Sequence, residues 1–203
     1  MLIIGITGQF CAGKSTVAKI LSRRLKAEIV DADKIGHSVL LDKNIKKELA
    51  GHFGKDIIKN GVVNRYALAE KAFANAKNHK ALCRITHPLL VEEIKDRLKI
   101  IKSKNPDSVV IIDAAVLIEM GLWKYVDRLI AVKANRKAQI MRAKSKWDLS
   151  EKDINRRIKL QIPFSRLAKK AGFIIDNSGG LQDLKSQIKM TSLNSEGVWK
   201  TNG

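Results

Sequence analysis

Val- and Ile-rich runs recur between stretches of helical periodicity, and the first run ends in a glycine-bracketed phosphate loop. Together these features predict an α/β fold, a P-loop NTPase-like parallel sheet flanked by helices. Helical insertions between the runs add a substrate-binding subdomain and a lid. Continuous apolar runs suit strands buried on both faces, and in such sheets ligands gather at the carboxyl ends of the strands.

The first run is Leu2-Ile3-Ile4-Gly5-Ile6, and Gly8-Gln9-Phe10-Cys11-Ala12-Gly13-Lys14-Ser15 follows it as a complete G-x-x-x-x-G-K-S pattern. Thr16 and the helical pattern Val17-Ala18-Ile20-Leu21 come next, so strand, loop and helix stand in the order a phosphate loop requires. Gly8 and Gly13 permit backbone angles and close approach that a Cβ would obstruct, so amide N–H groups can turn inward around a polyphosphate. Lys14 offers a compact cation to the outer phosphates, and the Ser15 hydroxyl offers a ligand to the accompanying Mg²⁺. The helix beginning near Ser15 adds its positive dipole end. Residues 8–16 are therefore expected to hold a nucleoside triphosphate, with ATP and Mg²⁺ as cofactors. Cys11 admits two readings, a reactive thiol at a helix N-terminus or a plain small filler.

Glu28-Ile29-Val30-Asp31 reads as the second strand, Val109-Val110-Ile111-Ile112-Asp113 as the third, Arg128-Leu129-Ile130-Ala131-Val132 as the fourth and Gly172-Phe173-Ile174-Ile175-Asp176 as the fifth. Asp31, Asp33, Asp113 and the loop then converge at one edge. Asp33 is the preferred base for a substrate hydroxyl, because that task needs an acceptor aimed at the γ-phosphate. Asp31 is read as structural or metal-orienting, since adjacent anions raise each other's pKa. Asp113, ending an apolar strand, fits a Walker B-like partner of Mg²⁺, against a plain turn aspartate. His37 is balanced between a substrate contact and a surface position.

The expected organisation is one P-loop kinase domain over 1–190, with core segments 1–34, 103–134 and 172–190, a helical substrate-binding region 35–102 and a lid 135–171. The lid's first helix carries Arg136, Lys137, Arg142, Lys144 and Lys146; Ser150-Glu151-Lys152-Asp153 resembles a capping box opening a second helix that stops near Pro163. Basic helices after the fourth strand can close over phosphates and bring an arginine to the transferred group, whereas their plainer reading is a solvated face. The polar tail from Thr191 is expected to fray.

At 203 residues and 45% hydrophobic, the chain suits one sizeable core with an inserted subdomain. It has no apolar stretch of membrane-spanning length, and the apolar amino terminus leads into the phosphate loop, so a cytoplasmic location is expected. Two cysteines, Cys11 and Cys83, are too few for a disulfide framework or a four-ligand zinc site. The +19 formal charge is spread along the sequence, and aromatics are only 5%, so specific nucleic-acid binding is not expected. The charge suits polyanionic small ligands.

The chain resembles the dephospho-coenzyme A kinases. The likeness covers roughly residues 2–190 and rests on Ile6-Thr7-Gly8 through Gly13-Lys14-Ser15-Thr16, Asp31-Ala32-Asp33 with His37, and Gly61 and Arg65 with Leu68 and Phe73. It continues through His87-Pro88, Leu117-Ile118-Glu119, Arg142, Gln161 and Ile175-Asp176-Asn177 with Gly179. The resemblance implies ATP-dependent phosphorylation of the ribose 3′-hydroxyl of dephospho-coenzyme A; a monomer or weak oligomer is expected. The resemblance also implies Lys14, Ser15 and Asn177 on ATP and Mg²⁺, Asp33 on the hydroxyl proton, Arg142 on phosphate from the lid, and His37, Arg65 and His87 on the acceptor side. The chain departs from the family pattern at Gln9 and Cys11, where glycine is usual, at Ala115 for proline, at Lys146 for a second lid arginine and at Gly172 for an acidic residue. Two other functions share part of these features. A nucleoside or nucleotide kinase would share the loop but not the Asp31-Ala32-Asp33, His87-Pro88 and Asp176-Asn177 set, and a nucleotide-gated nucleic-acid binder would show salt-steep affinity without turnover.

Overall fold

The amino-terminal apolar run forms β1 (Leu2–Gly8), and beyond the loop the chain turns into α1 (Lys14–Leu25). A computed structural model describes residues 1–147 and 149–190; the tail from Thr191 lies outside the described residues. β2 (Glu28–Asp31) runs straight into α2 (Ala32–Val39), because the Asp31 carboxylate accepts a hydrogen bond from the Lys34 N–H at 3.0 Å and caps the new helix. α3 (Lys43–Phe53) is capped in the same way by Asp42.

The region 35–102 is helical with one exception that the periodicity does not reveal. β3 (Ile58–Lys59) and β4 (Val62–Val63) form a small antiparallel hairpin, turned at Asn60-Gly61 with φ of 50° and 73°. Two positive-φ residues are the signature of the tight turn that matches strand twist, and Asn-Gly is the pair that adopts it most readily. α4 (Arg65–Ala72) and the 29-residue α5 (Ala76–Lys104) complete the region.

β5 (Val109–Asp113) and β6 (Arg128–Lys133) return the chain to the sheet. The lid segment holds α6 (Arg136–Lys146), α7 (Glu151–Leu160) and α8 (Phe164–Lys170), and β7 (Phe173–Asp176) and α9 (Leu181–Met190) close the fold. α7 ends before Pro163, which stands instead at the start of α8, a position where a missing N–H costs nothing. α8 packs against β1 and β6, so the last helix of the lid segment rests on the sheet.

The five strands β2-β5-β1-β6-β7 are all parallel. Period-two alternation sorts their side chains into two cores. Ile4, Ile6 and Ile111 join Val17, Leu21, Leu184 and Ile188 on the face covered by α1 and α9. Val110 and Ile112 join Val30, Val39, Ile94 and Leu98 on the face shared with α2 and α5. Each such fully buried side chain contributes about 1.5–3 kcal/mol, which fixes the register of β5 firmly. Asp113, two residues beyond Ile111, therefore falls on the α1 face, where the phosphate loop ends.

Candidate active site

Two glycines shape the loop because no side chain fits where they stand. A Cβ on Gly8 would run into the Val132 carbonyl oxygen, and one on Gly13 into the Asn177 side-chain amide. Gly13, at φ 91°, is the residue before α1; no side chain caps the helix there, and the first turn contains no acidic residue. The first amides of α1 and the positive end of its dipole are thus left for an anion. Cys11 also takes a left-handed φ of 56°, a conformation that costs a residue other than glycine about 1–2 kcal/mol. It packs with Phe10 against Ala143, Ile154 and Ile158 of the lid. Burial pushes its thiol up despite the nearby charges of Lys14, Lys146, Arg142 and Arg157, which favours the packed filler over the reactive thiol.

Lys14 opens α1 in a desolvated position. Burial lowers its pKa, while Asp113 first and Asp33 second pull it back up. The Asp113 carboxyl is buried and raised by that burial, opposed by a hydrogen bond from Ser15 and the charge of Lys14. Asp31, Asp113 and Ile6 lie side by side in register across three strands, which explains why carboxylates from separate runs meet here. Asp33 stands exposed in the first turn of α2, close enough to Lys14 and Asp113 to act on both. A cleft of about 340 Å³ opens along this group, lined by Ser15, Lys19, Asp31, Lys34, Arg97 and Asp113. A larger groove, about 650 Å³, runs along the outside of α7 and contains no loop residue, so it plays no part in this chemistry.

Arg142, half-buried on α6, reaches the loop directly. Its Nη2 donates to the Asn177 carbonyl at 2.6 Å and its Nη1 to the Ala12 carbonyl at 3.4 Å, while Asn177 Nδ2 donates to the same Ala12 oxygen at 2.9 Å. Three glutamines add bonds that sequence reasoning did not assign. Gln139 Nε2 donates to the Phe10 carbonyl at 2.8 Å, the Phe10 N–H donates to Gln161 Oε1 at 2.6 Å, and Gln9 Nε2 donates to the Ile162 carbonyl at 3.3 Å. Gln139 had one available signal: it lies three residues before Arg142 and four before the buried Ala143, on one face of an otherwise basic helix. Lys146 lies over Trp147, its ammonium 4.5 Å from the centre of that ring, which itself stacks on Phe10 at 5.3 Å, and its charge still reaches Cys11 and Lys14.

The residues expected on the acceptor side stand further apart. His37 is exposed on α2 and Arg65 is exposed at the start of α4. His87, on α5, is half-buried, and burial first, then the neighbouring His79, pushes its pKa down to about 4. Among the described residues no hydrogen bond or ion pair joins His37, Arg65 or His87 to the phosphate loop. Thr16 is exposed beside Ser15 on the first turn of α1.

The donor set fits a hard divalent cation. A serine hydroxyl and a buried carboxylate, hydrogen-bonded to each other and flanked by Lys14, are oxygen ligands of the kind that Mg²⁺ takes beside phosphates. No helix among the described residues is long and apolar enough to cross a membrane.

A family model described as dephospho-CoA kinase matches residues 2–183. The chain is similar to a dephospho-CoA kinase of Corynebacterium glutamicum, 39% identical over 191 residues that cover 93% of this chain and 97% of that protein. Among solved structures it resembles TT1252 from Thermus thermophilus at a TM-score of 0.71 and 28% identity, covering 93% of this chain and 94% of the other. It also resembles a dephospho-CoA kinase from Campylobacter jejuni at 0.64 and 25%, covering 92% and 94%.

Proposed function

The chain belongs to the dephospho-CoA kinase family, and from that premise we propose that it transfers the γ-phosphoryl group of ATP to the ribose 3′-hydroxyl of dephospho-coenzyme A, the final step of coenzyme A synthesis. The observation that carries this reading at the residue level is the grouping of Lys14, Ser15, Asp113 and Asp33 at the open end of α1. Phosphoryl transfer depends on positioning and charge neutralisation more than on covalent chemistry, and this group offers both.

The amides of residues 8–16 hold the ATP phosphates, and Lys14 places its charge on the outer ones. Ser15 and Asp113 would hold Mg²⁺, which when bound neutralises phosphate oxygens. Asp33 accepts the proton of the attacking hydroxyl, a role that suits an exposed carboxylate next to the phosphate site. Arg142 and Asn177 frame the loop from the lid side. Helical region 35–102, with His37, Arg65 and His87, receives the acceptor, and lid 135–171 closes over both substrates and keeps water from the transferred group.

The test supplies purified protein with Mg²⁺, ATP and dephospho-coenzyme A, follows ADP release, and identifies the product by the added 3′-phosphate. Stoichiometric ADP and coenzyme A are the expected result. Intact ATP binding with no phosphorylated product at high enzyme would reject the assignment, and turnover of nucleosides instead would favour the nucleoside kinase reading.

A further inference from the structure

Arg156 and Arg157 are neighbours on α7 with different surroundings. Arg156 Nη2 lies 2.5 Å from the Asp153 carboxylate. Arg157 is half-buried and has no hydrogen bond or ion pair among the described residues. Its guanidinium carbon lies 4.9 Å from the centre of the Phe73 ring and 5.8 Å from that of Phe10. Phe73 directly follows α4 in the acceptor-side region, and Phe10 belongs to the phosphate loop. One lid cation thus stands between the two regions whose ligands must meet.

The two rings account for the position of Arg157 but leave its donors without acceptors. Attraction to a ring quadrupole needs only the charge near the ring and supplies no oxygen acceptor for the five N–H donors of a guanidinium. Burial lowers the pKa of Arg157 by desolvation, yet a guanidinium stays charged at any working pH. Its donors stay open to solvent and the charge of Asp153 offsets part of the burial, so this half-buried cation is placed to exchange water for an anion at low cost. The placement is also well fixed: Phe10 is held at its backbone N–H by Gln161, at its carbonyl by Gln139 and at its ring by Trp147, so Arg157 keeps a set distance from the loop. Lys146 cannot substitute, because it is exposed, lies over Trp147 and lacks a planar fork.

We propose that Arg157 is a further phosphate-binding residue, held by Phe10 and Phe73 so that its N–H edge takes phosphate oxygens where the loop meets the acceptor region. This rests on the kinase reading above, and the phosphate belongs to ATP or to the diphosphate of the acceptor. The experiment compares the full-length protein with Arg157→Met, which keeps the stem and removes the charge, and Arg157→Lys, which keeps the charge and removes the fork. It measures kcat, KM for each substrate, equilibrium binding of each ligand by calorimetry, and Tm. Arg157→Met should lower kcat/KM by about ten- to hundredfold, the scale of a lost charge-assisted hydrogen bond, with Arg157→Lys recovering part of the loss. A rise confined to the ATP constants places the contact on the donor, and one confined to dephospho-coenzyme A places it on the acceptor. Turnover and affinities of Arg157→Met within about twofold of wild type would overturn the inference while the kinase assignment stands. An inactive wild-type protein whose affinity for either ligand still falls in Arg157→Met would reject the kinase assignment and leave the inference in place. Should Arg157→Met fail to fold, Arg157→Lys decides: at least about a threefold loss of kcat/KM at unchanged Tm supports the contact, and wild-type constants reject it.

Discussion

Lys14 combines a desolvated position, which lowers its pKa, with two carboxylates, Asp113 and Asp33, that oppose that shift, so its substitution removes a group set among opposite charges rather than a surface charge. Lys14→Ala should lower turnover by at least about a hundredfold, measured by ADP release under saturating substrates, and a variant that keeps wild-type turnover would remove Lys14 from the chemistry. Asp33→Asn preserves shape and loses the basic oxygen. It should reduce turnover by roughly 10²–10⁴ with little change in ATP affinity, and a large affinity loss with normal single-turnover chemistry would reassign Asp33 to metal or nucleotide binding. His87 gives a stability prediction. Its folded pKa, pushed down to about 4, lies below the ordinary histidine value of about 6.5, so between these values the unfolded chain binds more protons and stability falls as pH drops. The slope is at most about 1.4 kcal/mol per pH unit, and partial solvent access reduces it. Urea midpoints of wild type and His87→Gln should converge as pH falls from about 7 to about 4; parallel curves would place His87 in water. The placement of Lys14 and Ser15 at the start of α1, directly after the glycine-bracketed loop, was legible in the sequence because it follows from local spacing. Gln139, Gln161 and Arg157 were not assigned roles, because each acts on Phe10 or Phe73 across a long stretch of chain.

At the scale of elements, the strands were legible because burial on both faces writes continuous Val and Ile runs, as in Val109-Val110-Ile111-Ile112. The hairpin β3-β4 was not, since two-residue strands carry no period and only Asn60-Gly61 marks the turn. The lid shows a similar limit. Its basic helices were visible, but the attachment of α8 to β1 and β6 depends on packing that charge patterning does not encode. α6 is tied to the loop through Arg142 and Gln139, whereas the face of α7 outside its contact with Phe10 and Phe73 is an open groove. Ligand closure should therefore reduce cleavage within 135–171 when a nonhydrolysable ATP analogue and dephospho-coenzyme A are both present. If Arg142 meets the migrating phosphoryl group as proposed, Arg142→Ala should lose part of that protection and depress turnover more than ATP binding, because such a contact acts mainly in the transition state. Unchanged cleavage with both ligands, together with normal turnover of Arg142→Ala, would make the segment a static surface.

For the whole molecule, the informative quantity is charge. A formal +19 spread along 203 residues sets up a positive field without one dense basic tail, and both proposed substrates are polyanions. Such a field raises the encounter rate of anionic ligands and would leave a chemical step at the desolvated Lys14 and Asp113, as proposed, largely untouched. The Debye length shrinks from about 10 Å at 0.1 M salt to about 3 Å at 1 M, so added salt should screen the distant lysines before it reaches the loop. Accordingly, kcat/KM for ATP and for dephospho-coenzyme A should fall severalfold as NaCl rises from about 0.05 to about 0.3 M, while kcat stays nearly constant. Replacing NaCl by an uncharged osmolyte at equal osmolality should leave kcat/KM unchanged. A flat salt profile would mean that the excess charge is a solvated surface with no part in capturing substrate. A parallel fall of kcat would instead put the screened charges at the reacting groups, among the basic residues of 135–171 proposed to meet the phosphates.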